Sequence, residues 1–445
     1  MDPPRNSIRS RKGRLSQIKV VEVNSDNLNV IWPHLLLSIK NATIVALDLE
    51  LSGLGERARM SAKSVDDRYS AIRDAARSRA ILSLGVATFR RVAVSEKKKR
   101  VRFQVQVYNI LSLCDAPFVM EPGALKFLSD HQFDFNRLIQ CGVSYHPADS
   151  KKTDPLRTLL QELLSSAIPL AFHNGLVDLC FLYQHLYGPL PDTLAGFVSD
   201  LTDWFAAPGL LFDSKFVADY QLHWPASYLE YLFRKCQREN GAEAMGSRAY
   251  IGIEFISSPL DQKMTDCTEF VQCSLPPKGF SRNAVELDHL CASYANHGFC
   301  HRGQSCTKSH DVDLVLDLED QKREKVRNRR KRRFGEISMN GNGEAIPSNG
   351  DVASERKSFA IQGSHRAGID AFMTGFSILY MNRMSLLKNG TLPDDQANRL
   401  PLSGKDIPLM IQTSSWAEKT AYHKEKWFII EKHREKIASK ANGSV

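Results

Sequence analysis

Apolar runs, and the places where they stop, divide this chain into elements. Thr43 to Leu49 (TIVALDL) is a continuous apolar run of the kind buried at a sheet centre, and it ends in Asp-Leu-Glu. Ile81 to Phe89 (ILSLGVATF) predicts a second strand. Val101 to Tyr108 (VRFQVQVY) alternates apolar and polar residues and predicts a third, with VSEKKKR as the polar hairpin connection. Between strands one and two, Glu56 to Arg79 is charged and lacks strand patterning, which leaves a helix or a mobile flap. Helical spacing covers Glu121 to Asp130, Asp134 to Gly142 and Pro155 to Ser165, the last with a proline suited to a first turn. Ile168 to Phe172 (IPLAF) and Leu210 to Asp213 (LLFD) predict two more strands, and Ser227 to Cys236 a further helix. Leu176, Leu179, Cys180, Tyr183 and Leu186 recur at helical intervals, so Asp178 falls in a first helical turn.

From about Glu239 to Ser358 the periodicity weakens, and the segment ends in a Gly/Asn/Ser linker (GEISMNGNGEAIPSNGDVAS). This predicts an insertion, at least partly disordered. Periodicity returns at His365, after which IDAFMTGFSILYMNRM predicts a long amphipathic helix. The expected organisation is a flexible N-terminus over 1–24, a main domain split between 25–238 and 359–440, a cysteine-rich module at 285–313 and a basic segment with its linker at 319–358. No internal repeat is visible.

Composition narrows the class. A chain of 445 residues with 42% hydrophobic content can bury a full core and carry a satellite module. No run of about 18 apolar residues occurs, and MDPPRNSIRSRKGRL has basic residues without an apolar stretch behind them, so neither a membrane span nor a secretory signal is expected. Of nine cysteines, Cys291, Cys300 and Cys306 cluster while the rest are scattered, which favours a metal site over disulfides in a chain that stays inside the cell. The net charge of +9 is mostly local: Lys322 to Arg333 holds nine basic residues and one Glu, so 9 − 1 = +8 sits in that block. The remainder is near neutral, and the charge total says little about catalysis.

Candidate chemistry lies at the element boundaries. Asp48 and Glu50 alternate at a strand end, so their carboxylates project from one face of the sheet. Asp178 at a helix start and Asp370 in a second helix bring the acids to four, a set suited to two Mg2+ ions, which prefer oxygen ligands shared with substrate phosphate. Two such ions about 4 Å apart suit in-line phosphodiester cleavage, with His365 as general base on the attacking water. Each piece alone is commonplace: an exposed acidic pair, a helix-start acid serving the dipole, a structural histidine. The combination, at five predicted boundaries in an order one sheet can assemble, is not.

The ordered set Asp48-x-Glu50, Asp178, His365-x4-Asp370 resembles the DEDDh exonucleases. Within these, LDLELSGLG, FHNGLVD, FDSKFVADY and HRAGIDAFMTG resemble the poly(A)-specific ribonuclease and Caf-type deadenylases, over roughly residues 25 to 235 and 360 to 415. The resemblance implies an α/β, ribonuclease-H-like exonuclease fold with a mixed sheet flanked by helices. It also implies a Mg2+-dependent 3′-to-5′ exoribonuclease that releases 5′-nucleoside monophosphates, acting on single-stranded, adenosine-rich RNA 3′ ends. Leu51 stands where many members carry Phe, which bears on substrate packing rather than on the ligands. Asp213 in FDSK is the rival acid and is read as structural, because Asp178 sits in the family's His-Asn-x3-Asp context.

Cys291, Cys300, Cys306 and His310 have the spacing C-x8-C-x5-C-x3-H, and three thiolates with one imidazole complete a tetrahedral, structural Zn2+ site. His289, His297 and His301 are nearby competitors, but only His310 completes the pattern. The spacing resembles the CCCH finger of RNA-binding proteins, with Tyr294, Gly298 and Gly303 at accessory positions. Arg302 and Lys308 stand where sequence-reading fingers carry stacking aromatics, so RNA binding with little sequence choice, or a protein contact, is expected.

The block KREKVRNRRKRRF, with Lys322, Arg323, Arg329, Arg330, Lys331, Arg332 and Arg333, suits a nuclear localisation signal; a phosphate-binding arm and a solvated charged helix are the alternatives. Nuclease, finger and basic block in this order resemble a nuclear deadenylase. That implies trimming of small nuclear RNAs and other noncoding RNA 3′ ends in nucleoplasm, nucleolus and Cajal bodies. Two rivals remain: a non-catalytic RNA-binding scaffold with a nuclease-like fold, which the intact set of five residues disfavours, and a DNA 3′ exonuclease, since metal chemistry does not need the 2′-hydroxyl.

Overall fold

The computed structural model of the chain describes residues 15–147, 152–256, 266–276, 289–335 and 365–442. Positions 1–14 of the expected flexible N-terminus and the linker from 336 to 358 lie outside the described residues. Nine strands form one mixed sheet: β1 (Gln17–Val23), β2 (Ile44–Leu51), β3 (Ile81–Ser95), β4 (Arg100–Cys114), β5 (Val143–Tyr145), β6 (Leu170–Phe172), β7 (Leu211–Asp213), β8 (Tyr250–Phe255) and β9 (Thr268–Gln272). Their hydrogen-bonded order is β7-β6-β2-β3-β4-β1-β9, with β5 and β8 also pairing with β4. One strand can serve three parallel partners because it is long: β8 takes Arg100–Val105, β1 takes Tyr108–Ile110 and β5 takes Ser112–Cys114. The β2–β3, β3–β4 and β1–β9 pairs are antiparallel.

Strand β3 outlasts its apolar run. Ile81 to Phe89 is buried on both faces, while Arg90 to Ser95 is partly exposed and continues as hairpin with β4. Alternation along β2 separates two surfaces. Val45, Leu47 and Leu49, with Leu84 and Val86 of β3, enter the main core beside Ile31, Leu35, Tyr69, Ile72 and Leu163. On the opposite face, the helix Ala367–Met381 is buried from Ala367 to Tyr380 and stacks Phe372 on Phe89 of β3 at 5.8 Å between ring centroids. Helix Leu229–Met245 packs behind it, Phe233 lying 5.6 Å from Phe376. The α/β class, the mixed sheet and the flanking helices agree with the expectation from sequence.

Two expectations are corrected and one open alternative is resolved. Residues 17–23 of the supposed flexible N-terminus form β1, because Ile18, Val20, Val21 and Val23 are buried against β4 and β9. The stretch expected to be insertion from Glu239 contains the end of helix Leu229–Met245 and strands β8 and β9. The compact units divide accordingly: Met1–Gln272 with Gln362–Val445, and Cys273–Ile361. The segment left open between helix and flap is helical, Arg57–Met60 and Val65–Ser78, the second capped by the Ser64 side chain accepting from Asp67 N–H and anchored by buried Tyr69, Ile72, Ala75 and Ala76.

Within the second unit, helix Ala292–His297 follows a bridge between Leu290 and Ser309, and helix Val312–Gly335 carries the basic block. No helix among the described residues is long and apolar enough to cross a membrane.

Candidate active site and zinc centre

Asp48 and Glu50 stand on β2 opposite Gly85 and Ser83 of β3, on the face covered by helix Ala367–Met381. Gly85 is what lets that helix come down. A Cβ there would lie 1.9 Å from the Ala367 carbonyl oxygen, so any larger residue would push the helix start outward. Gly368 makes the matching approach: its Cβ would meet the Tyr108 carbonyl at 2.9 Å, and its N–H donates to Asn109 Oδ1 at 3.1 Å. The contact seats Asp370, in the first turn, beside the two strand acids. Carboxylate oxygens of Asp48, Glu50 and Asp370 lie within 4.8 Å of one another.

Asp178 falls in the first turn of helix Leu176–Leu182, just beyond β6. It is outside that tight triple, but a backbone hydrogen bond from Leu49 ties it to β2 between Asp48 and Glu50. Asp213, the rival acid, is engaged elsewhere: it accepts from Gly175 N–H at 2.9 Å, Lys215 N–H at 2.9 Å and Phe216 N–H at 3.1 Å. It thereby fixes the turn that delivers Asp178, as the structural reading required. His173 Nδ1 lies 2.8 Å from Ser214 Oγ and braces the same turn, burial holding its imidazole neutral with a pKa of about 3.

The electrostatics of these acids favour a cation. Burial first, then repulsion from Asp370, Asp178 and Glu50, drives the Asp48 carboxyl well above its ordinary range; Glu50 is raised by burial, Asp370 and Asp178. Burial raises Asp178 to about 7, and burial with Glu230 raises Asp370 to about 7. Buried carboxylates clustered in this way are the donor set for hard divalent cations. A pH dependence follows. Asp178 and Asp370 are raised from ordinary values near 4, so their share of stability is complete below about pH 4 and is lost as the pH rises through about 7. In chelator the melting temperature should fall between about pH 5 and pH 8, and saturating Mg2+ should remove most of that fall.

His365 precedes the helix at φ +70°, a left-handed conformation costing a non-glycine residue about 1–3 kcal/mol. Its ring stands edge-on to Phe127 at 5.0 Å and to His131 at 4.2 Å. Burial, with His131 adding to it, lowers its pKa to about 4, so it is neutral and able to accept a proton at neutral pH. Phe127 is exposed and His131 is half-buried, leaving an aromatic surface beside the acids. Leu51 packs partly buried against the main core just past a register shift in β2.

Several residues here carry no signal in the sequence. Glu230, in the first turn of Leu229–Met245, is close enough to raise Asp370. Glu22 of β1 and Glu269 of β9 both bind Arg366. A cleft of about 290 Å3 runs past Glu50, Ser83, Asn109, His131, Arg137 and Arg366. Phe127 shares helix Pro122–Asp130 with Leu125 and Leu128, so its local pattern does not single it out either.

In the second unit the ligand atoms of Cys291, Cys300, Cys306 and His310 lie within 4.8 Å of one another. None of the nine cysteines forms a disulfide. The Tyr294 backbone, then contacts with Cys300 and Cys306, draws the Cys291 thiol below its ordinary value. His310 Nε2 is buried without a hydrogen-bond partner, and its ring stacks on Tyr294 at 4.9 Å. An orphaned buried nitrogen beside three thiols fits tetrahedral zinc. Gly298 (φ +67°) and Gly303 (φ +49°) occupy left-handed turns that L-residues resist, which explains the two accessory glycines. His289, His297 and His301 are not part of the cluster. Arg302 and Lys308 are exposed, as is Phe299.

The basic block is helical: Lys322, Arg323 and Arg329 are exposed on Val312–Gly335, with Arg323 3.6 Å from Glu319, and Arg330, Lys331, Arg332 and Arg333 continue the same helix.

The model of the CAF1 family ribonucleases matches residues 23–155 and 148–378. Poly(A)-specific ribonuclease PARN of Arabidopsis thaliana is 28% identical over 130 residues, covering 28% of this chain and 19% of that protein; PARN of Danio rerio is 22% identical over 138 residues, covering 28% and 20%. The matched stretch is thus about a fifth of those relatives' length. Among solved structures, S. pombe Pop2p in its Mg2+- and Mn2+-bound form shares 18% identity over 49% of this chain and 82% of that one, at a TM-score of 0.38. Yeast CAF1 co-crystallised with the NOT1 MIF4G domain shares 16% over 53% and 81%, at 0.35. With most of its length matched by the family model, the chain belongs to the CAF1 family of ribonucleases.

Proposed function

We propose that this ribonuclease is a Mg2+-dependent 3′-to-5′ exoribonuclease that shortens adenosine-rich 3′ ends and releases 5′-AMP. The observation that carries the reading is the convergence of Asp48, Glu50 and Asp370 on one point, with Asp178 tied to the same strand and His365 at the helix start. The four acids would hold two divalent cations. When bound, these supply Lewis-acid polarisation of the phosphate and a more acidic attacking water. The chain's own parts do the rest: Leu49 N–H orients Asp178, the Gly85 approach fixes Asp370, and neutral His365 accepts the water's proton. The exposed Phe127 and the His131 ring offer a stacking surface for a base next to that centre.

The Cys3His centre would hold one structural Zn2+, and exposed Arg302, Lys308 and Phe299 favour weakly selective single-stranded RNA binding by that module. The exposed basic helix supports nuclear residence, with small nuclear RNAs and other noncoding RNAs as substrates. Digestion of matched oligo(A) RNA and DNA, with Asp48→Ala as control, tests the reading. RNA should be shortened and DNA spared; equal loss of both would favour a DNA exonuclease, and no Mg2+-dependent loss a scaffold.

A further inference from the structure

Two carboxylates and one guanidinium meet a single residue from His365. Arg366 Nη1 lies 2.7 Å from Glu269 Oε2, and its Nη2 donates to Glu22 Oε1. Asn109 closes the set. Its amide donates to Glu22 Oε2 at 2.9 Å, and its Oδ1 accepts from Gly368 N–H at 3.1 Å and from the Ser83 hydroxyl at 3.0 Å, Ser83 being the residue paired with Glu50. Side chains from β1, β9, β4 and β3 therefore converge, directly or through Asn109, on Arg366 and Gly368, where His365 meets the helix that carries Asp370.

Such a set is a poor device for stability alone. Glu22 is buried, and a buried ion pair gains little over apolar residues of the same shape, whereas a planar fork held by two acids specifies one geometry. Geometry is what this point needs. A non-glycine residue at φ +70° persists only where its surroundings over-determine it, and the clamp acts on the very next residue. Glu269 lies just before Cys273, where the second unit begins, and Arg366 just after Ile361, where it ends. The Glu269–Arg366 pair thus joins the points at which the chain leaves and re-enters the nuclease unit.

We propose that Glu22, Glu269 and Asn109 clamp Arg366 as a positioning residue, which holds His365 in its strained backbone conformation over the carboxylate cluster. The inference rests on the nuclease reading above. Full-length Arg366→Met, Arg366→Lys and Glu22→Gln should be compared with wild type for kcat and KM on oligo(A) RNA, thermal midpoint and Mn2+ affinity. Arg366→Met should lower kcat about 10- to 100-fold, with KM and Mn2+ affinity little changed; its midpoint should fall, because Glu22 is left buried without its partner, which makes Glu22→Gln the variant that separates kcat from stability. Arg366→Lys should fall between, since an ammonium can meet one acid but lacks the fork. Glu22→Gln, which keeps the shape of the site, should also lose kcat without unfolding. The clamp is overturned if kcat is unchanged in all three, or if each loss tracks a fall in midpoint or in Mn2+ affinity. An active wild type with unaffected variants refutes the clamp alone; an inactive wild type removes the nuclease reading and the clamp with it.

Discussion

Asp48→Asn will abolish RNA hydrolysis, by on the order of 10^4-fold or more, and will make the metal-free protein harder to melt. The two effects share one cause. Asp48 is half-buried beside Asp370, Asp178 and Glu50, and burial first, then each of these acids, raises its pKa, so without a cation the folded chain must hold a proton there that the unfolded chain gives up at neutral pH. A neutral amide of the same size removes that cost, a gain of roughly 1–3 kcal/mol. The same change removes a ligand from a triple whose oxygens lie within 4.8 Å of one another. Wild type should therefore gain stability as Mg2+ or Mn2+ is titrated, by mass action, and Asp48→Asn should gain much less. Melting curves with and without chelator, beside a hydrolysis assay, read both. Lower stability in chelator, with an unchanged response to Mn2+, would show that Asp48 is an ordinary structural acid.

Cys300→Ser is expected to have the second-largest effect, confined to the second unit. Zinc binding to such sites supplies about 10–16 kcal/mol, more than a short segment with one six-residue helix can draw from packing. Wild type should carry one zinc per chain and the variant none, by metal analysis. Hydrogen exchange over Ala292–His297 should then rise to that of an unfolded peptide. The sheet and helices of the nuclease unit have their own core and should keep their protection. Full protection of Ala292–His297 in a zinc-free variant would show that the four ligands are incidental.

What sequence revealed of this site depended on how strongly each element was patterned. Asp48 and Glu50 end a buried run, Asp178 opens a helix with clear spacing, and His365 and Asp370 stand at the start of a helix buried from Ala367 to Tyr380, so all five stood out at boundaries. Asp213 was separable from Asp178 in advance, and its three backbone partners explain its burial. Strand β9 was invisible for a physical reason: as the sheet's last strand it buries only Val271 among five residues, so no alternation marks it. Strand β1 is short, follows a basic stretch and takes its register from β4 and β9, far away in sequence. The residues these strands contribute, Glu22 and Glu269, meet Arg366 across 344 and 97 positions, and no local pattern encodes that. The basic block was read as a signal with a charged helix as the alternative; it is helical and exposed, and helicity does not oppose a targeting role.

The clustered carboxylates and His365 are proposed to hydrolyse RNA from its 3′ end with divalent cations. 5′-Labelled oligo(A) RNA with a free or a blocked 3′-hydroxyl, incubated with the full-length protein at rising Mg2+, tests this. Stepwise shortening of the free-ended RNA with release of 5′-AMP, dependence on Mg2+, and an intact blocked substrate are expected. Internal cleavage of both RNAs, or shortening that persists in chelator, would contradict that proposal.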